Sequence, residues 1–182
     1  MNRTAKTVLA TLGVGALLAV LAAFSVIYSG VFNVAATVED APPLRSVLVA
    51  TREASIWRHA RDIQAPPLGG AGQMERGFRI YREWCVMCHA PPGRPVPPMA
   101  KGLNPEAPAM VEEAEEMSPA ELFWVTRNGI RFTGMPAWEA SLSDTQIWDV
   151  VAFMRTLPRM TPADYDALDR RVPRAGDATN VQ

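Results

Sequence analysis

Hydrophobic and polar positions change rhythm several times along the chain. Arg3 and Lys6 are followed by an apolar run, residues 8–28, with no charged side chain in its 21 positions. As a helix such a run spans about 31 Å, enough for a hydrocarbon core of about 30 Å. Between the breakers Ala41-Pro42-Pro43 and Ala65-Pro66-Pro67 through Gly72, the pattern turns amphipathic. Leu44, Val47, Leu48 and Thr51 share one face at helical spacing, with Arg45, Arg52, Arg58 and Arg61 mostly elsewhere. From Gln73 to Trp84, Phe78, Ile80, Tyr81 and Trp84 again recur as on a helix.

The stretch Ala90 to Pro98 holds five prolines and predicts a rigid loop, which continues from Lys101 towards Met110. Glu112, Glu113, Glu115 and Glu116 predict a solvated helix face rather than a hard-cation loop, which needs varied oxygen ligands and a glycine turn. Ser118-Pro119-Ala120-Glu121 has the residues of a capped helix start, and Asn128-Gly129 those of its stop. Ser143 and Gln146 open another helix, carrying Ile147, Trp148, Val150, Val151, Phe153 and Met154 and ending at Pro158. Thr161-Pro162-Ala163-Asp164 begins a last helix to about Arg170, and Ala175 to Gln182 predict a frayed end. No period-2 strand pattern occurs, so the chain reads as all-α.

Charge and composition sharpen this division. The net charge of −1 is split between +2 over residues 1–72 and −3 over residues 73–182, with no concentrated basic face of the kind nucleic acids need. Three parts are expected: an anchor over 1–30, a linker over 31–72 with room for a short amphipathic helix, and a domain over 73–182. For the linker helix two roles stand: lying on anionic headgroups, or a solvated spacer. His59 falls there as an exposed histidine without a function. The apolar run is longer than the 7–15 residues usual for a signal peptide, although Ala23-Phe24-Ser25 would allow cleavage. Arg3 and Lys6 before it predict a cytoplasmic N-terminus and export of the remainder.

The chemistry is concentrated in Cys85-Val86-Met87-Cys88-His89. C-x-x-C-H is the attachment motif of a c-type haem: two thiols one helical turn apart add to the vinyl groups, and His89 follows under the ring. These are the only two cysteines. A thioredoxin-like pair would need a βαβ context, and structural zinc would need four ligands; neither pattern is present. Thioether attachment also belongs to the outer side of a bacterial membrane, the compartment that the N-terminal run predicts.

A second axial ligand has to come from elsewhere. Cytochromes c use His/Met, and nine methionines compete. Met1 is remote, Met74 and Met87 lie too close to the motif, and Met154 and Met160 belong to or follow an apolar helix. Of Met99, Met110, Met117 and Met135, the last has the best context. It sits in a loop between two helices, with Gly134 before it for backbone freedom and Pro136 after it for restraint.

The series Cys85 to His89, then Gly134-Met135-Pro136-Ala137-Trp138, then Ser143 to Pro158, resembles class I cytochrome c. More narrowly it is similar to short bacterial monohaem domains related to the cytochrome subunits of haem–copper oxidases. The resemblance covers about residues 73–160. It implies an all-α fold around one covalent haem c, with attachment at Cys85 and Cys88 and iron ligation by His89 and Met135. It also implies that the first helix of the domain crosses the last, Gly77 and Phe78 meeting Trp148, Val151, Ala152 or Phe153. A loop proline carbonyl often holds the histidine in this family; several prolines here compete for that role.

The expected protein is a membrane-anchored carrier of single electrons, with the bilayer contacted through residues 8–28 and the haem domain in the periplasm. Donors of the expected kind are a quinol-oxidising complex or a dehydrogenase, and acceptors a terminal oxidase or reductase. A permanent subunit of such a complex is the alternative, with Gly13 and Gly15 as small residues for helix packing. A haem peroxidase or gas sensor would need an open sixth position and a nearby acid–base group.

Overall fold

The computed structural model describes residues 2–174, so the expected frayed tail lies outside the described residues. The described chain is all-helical, without a strand, and divides into two compact units between Val38 and Glu39.

The first unit is α1, Arg3–Ser29, followed by a short irregular stretch. Asn2 caps it by accepting from the Ala5 N–H at 2.9 Å, and Gly30 ends it in the left-handed region. The helix starts earlier than the apolar run, so Arg3 and Lys6 lie in its first turns. None of its residues is buried, and with a mean hydropathy of 2.3 over an 18-residue stretch it is long and apolar enough to cross a membrane.

The second unit holds α2 (Pro42–Ala60), α3 (Gln73–Ile80), α4 (Met110–Glu116), α5 (Pro119–Asn128), α6 (Asp144–Met154) and α7 (Pro162–Arg171). Three of these helices begin with a complete capping box: Ser118 with Glu121, Ser143 with Gln146, and Thr161 with Asp164. Pro158 does not terminate α6; the helix ends at Met154, and Pro158 lies in a separate 3₁₀ turn, Leu157–Arg159.

The core forms where α3 crosses α6. A Cβ on Gly77 would lie 1.9 Å from the Asp149 carbonyl oxygen and 2.9 Å from the Phe153 Cβ, so only glycine permits this approach. Phe78 and Tyr81 then pack on Phe153, with ring centroids at 5.3 and 5.1 Å, above the fully buried Ile147, Val150, Val151 and Leu157. Trp148 turns the other way and stacks on Phe123 of α5 at 4.2 Å. Asp149, a buried carboxylate within this apolar helix, receives two hydrogen bonds from the Arg76 guanidinium, at 2.8 and 3.0 Å. Pairing of that kind satisfies a buried charge.

Two outlying segments are drawn into this unit. In α7, Tyr165 and Leu168 are buried, and Phe78 packs edge-on against Tyr165 at 5.4 Å. Arg82 fastens the end of α7 by donating to Asp169 Oδ1 and the Val172 carbonyl, both at 2.9 Å, and to the Pro173 carbonyl at 2.9 Å. Helix α2 packs on α5, burying Ile56 and Ala60; His59 remains exposed, its ring stacked on Trp124 at 5.4 Å. The acidic run forms α4, with Met110 and Ala114 buried beneath it, and Arg155 donates to the Ala114 and Met117 carbonyls at its end. Partial burial raises the Glu113 carboxyl above its ordinary range, and nearby Arg52 of α2 opposes this.

Candidate cofactor site

The last turn of α3 widens into a π-helical turn, Tyr81–Cys85, in which the Val86 N–H donates to the Tyr81 carbonyl at 3.2 Å. Such bulges are frequent at functional sites. From Cys85 the backbone makes one tight turn: its carbonyl accepts from Cys88 at 3.1 Å and from His89 at 2.8 Å. Cys85, Cys88 and His89 are therefore held within a single turn, and both thiols are free. Burial, assisted by neighbouring Cys88, pushes the Cys85 thiol up to about 12, so it stays protonated at neutral pH.

His89 is buried, and its Nδ1 lies 2.9 Å from the Pro108 carbonyl oxygen. A carbonyl can only accept, so Nδ1 carries the proton and Nε2 keeps its lone pair. Burial lowers the imidazole pKa and the Pro108 bond partly restores it, the net direction being down. The product is a neutral imidazole of fixed orientation, the form that binds a metal. Pro108 could not be chosen from the sequence, because the segment after His89 is crowded with prolines.

Met135 is half-buried in the loop between α5 and the 3₁₀ turn Trp138–Ala140. Its backbone is tied at both ends. The Met135 N–H donates to Thr133 Oγ1 at 3.1 Å, the Thr133 hydroxyl donates to the Ile130 carbonyl at 2.8 Å, and the Ile130 N–H donates to the Met135 carbonyl at 3.1 Å. This loop folds back over Gly129, whose φ of 66° and ψ of −172° belong to a region essentially reserved for glycine. A Cβ there would lie 2.6 Å from the Pro136 carbonyl carbon and 2.7 Å from both the Ala137 nitrogen and the Met135 oxygen. Gly129 thus shapes the loop as well as ending α5. Gly134 serves differently from the expected backbone freedom: its φ is not positive, and what matters is the space left for Leu103 Cδ2, 2.6 Å from where a Cβ would be.

The loop and the motif meet through tryptophans. Trp84, next to Cys85, and Trp138, three residues after Met135, pack edge to face at 5.4 Å. The other methionines sort by packing: Met110 and Met154 are buried in the core, Met117 and Met160 pack against it, and Met99 is exposed.

Two thiols, a neutral imidazole with a free Nε2 and a thioether on a tied loop are donor types that a c-type haem takes, so the chemistry of these residues fits the group. The Tyr81 hydroxyl, buried beside Cys85 with no hydrogen-bond partner among the described residues, has its pKa raised by burial and by the neighbouring Cys85 and Tyr165. Among the described residues no cluster of three or more His, Cys, Asp or Glu offers a separate metal site.

An all-helical unit carrying this motif, with α3 crossing α6 at a glycine, has the arrangement that the resemblance to class I cytochrome c implies. Residues 72–154 match the family model described as Cytochrome C oxidase, cbb3-type, subunit III, consistent with a class I monohaem cytochrome c related to oxidase subunits. No curated protein matches the chain.

Proposed function

We propose that this chain is a membrane-anchored c-type cytochrome that carries single electrons between redox partners on the periplasmic side of a bacterial inner membrane. Residues 1–30 hold it in the bilayer with the N-terminus cytoplasmic, residues 31–72 connect, and residues 73–182 carry one covalent haem c. Cys85 and Cys88 would hold the haem through thioethers, and His89 through Nε2 and Met135 through its sulfur would ligate the iron. When bound, the haem supplies a one-electron couple between ferric and ferrous iron.

The observation that carries this reading is the Pro108 hydrogen bond, which presents a neutral His89 one turn from two free thiols. The chain's own residues then keep the site rigid. Pro108 stops rotation of the imidazole and raises its donor strength. The hydrogen bonds around Met135 hold its loop, and a thioether ligand favours the reduced metal. Because the ligand residues are held before and after electron transfer, little reorganisation is required of the protein.

Met135→Ala tests the ligand assignment. The haem should remain covalently attached, while the sulfur-to-iron charge-transfer band of the oxidised protein disappears and the potential falls. An unchanged spectrum would remove Met135 from the site. The match to an oxidase subunit family favours a second reading, a permanent cytochrome subunit of a membrane oxidase. Stoichiometric co-purification with the same larger complex after mild detergent extraction would establish it; release as a single chain would favour the free carrier.

A further inference from the structure

Helix α2 is two-faced, and only one face is used by the domain. Ile56 and Ala60 are buried on α5, with half-buried Val49 and Arg52 on the same side. Val47 precedes Ile56 by nine residues and so lies opposite it on a 3.6-residue repeat. Around Val47 the outward half of the helix gathers Leu44, Trp57, Arg58 and Arg61, with Leu48 at its border. The apolar members are 36% (Leu44), 63% (Val47), 45% (Leu48) and 60% (Trp57) exposed. A solvated spacer helix has no use for four large apolar side chains in that position, whereas aliphatic residues with tryptophan and arginine are the composition of a helix at a membrane interface.

The chain leading to α2 is of matching character. From Ser29 to Val38 there is no charged residue, and Val31, Phe32 and Val34 are 72%, 55% and 87% exposed. Only residues 30–41 separate α1 from α2, a tether of at most about 40 Å when fully extended. The start of helix α2 therefore stays within that length of the end of α1, short enough to reach the surface of a bilayer that α1 crosses. Glu39 and Asp40 precede the helix, Glu53 pairs with Arg52 at 3.6 Å away from the outward half, and Asp62 pairs with Arg61 at 3.4 Å just past the helix end, so within α2 the charge on the outward half is that of Arg58.

We infer that the outward face of α2 lies on the anionic lipid surface next to the anchor, so that α2 is a two-sided bracket carrying the haem domain on its inner face. The inference rests on α1 spanning the membrane. The bilayer is the occupant because the tether keeps it within reach and because the arginines complement anionic headgroups, each cation adding favourably near such a surface. Through the α2–α5 contact, the bracket would limit how far the domain can swing from the membrane.

Photo-crosslinking of the full-length holoprotein in vesicles of phosphatidylglycerol and phosphatidylcholine tests this. Benzoylphenylalanine replaces Val47 or Trp57, with Leu17 in α1 as the anchor control and Glu115 on α4 as the solvent control. Lipid adducts should form at positions 47, 57 and 17 and be near background at 115. Arg58→Gln with Arg61→Gln should lower the yield at 47 by roughly fivefold or more. Adducts at 17 with only background at 47 and 57 would overturn the bracket while leaving the anchor intact. No adduct at 17 would overturn the anchor and the bracket with it. Polypeptide adducts in place of lipid at 47 and 57 in native membranes would show that a protein occupies the face, and would also overturn it.

Discussion

Gly129→Ala puts the argument about the Met135 loop at greatest risk. The new methyl group meets two obstacles. The backbone conformation of residue 129 costs an L-residue about 1–3 kcal/mol. In addition, the Cβ would approach backbone atoms of Met135, Pro136 and Ala137 to within 2.6–2.7 Å. Those atoms cannot rotate away as a side-chain tip can, and relieving such overpacking costs about 1–3 kcal/mol. Together the two effects should destabilise the domain by about 3 kcal/mol, a fall in melting temperature of about 10 °C. The contact is relieved most directly by moving the loop outward, which carries the Met135 thioether away from its position. Two readouts follow in the full-length protein: the melting temperature by circular dichroism and the sulfur-to-iron charge-transfer band. Gly134→Ala is the comparison, because its Cβ meets only the flexible end of Leu103 and should cost less than about 1 kcal/mol. Equal melting temperatures for the two variants would refute the packing argument. A large fall with an intact charge-transfer band would instead separate the loop from iron ligation.

Gly77→Ala should be worse than either, costing more than about 3 kcal/mol because the crossing of α3 and α6 must open; accumulation of folded protein in cells should drop sharply. Arg82→Leu leaves two carbonyls without their donor and the Asp169 carboxylate with only its longer Arg174 pair at 3.6 Å, a loss of about 2–3 kcal/mol that hydrogen exchange should localise to residues 162–173. Arg82→Lys should not fully restore protection, since a single ammonium cannot span the same acceptors. The Asp164 carboxyl is held below the usual carboxylate value by hydrogen bonds from the Thr161 side chain and then its backbone. A depressed folded-state pKa stabilises α7 above the unfolded value near 3.8, and this support is lost as pH falls through the folded value. Thr161→Ala should bring the Asp164 titration, followed by NMR, back up towards the unfolded value.

What the sequence by itself determined was written over short distances. The three capping boxes formed where Ser118, Ser143 and Thr161 stand, because a cap and its partner are three residues apart and need nothing beyond one turn. The apolar run became one uninterrupted helix, and the spacing of Cys85, Cys88 and His89 is that of a single turn. The crossing at Gly77 was legible in another way, through the resemblance to class I cytochrome c, which implied that α3 meets α6 there.

Tertiary structure decided wherever several residues of equal local merit competed. Many prolines could have held His89, and only the path of the loop through Pro108 selects one. Asn128-Gly129 reads as a helix stop; its second role exists only because residues 135–137 fold back across it. The linker helix and the C-terminal segment look like appendages in sequence, yet α2 buries Ile56 and Ala60, and α7 is fastened by Arg82 from a position 87 residues away in sequence. Nor does a lone aspartate within an apolar helix announce its partner, and Asp149 finds Arg76 across 73 residues. Hydrogen-bond caps and helical turns are fixed by neighbours along the chain. Pairings of this second kind are chosen by the packing of the whole unit, which local spacing does not encode.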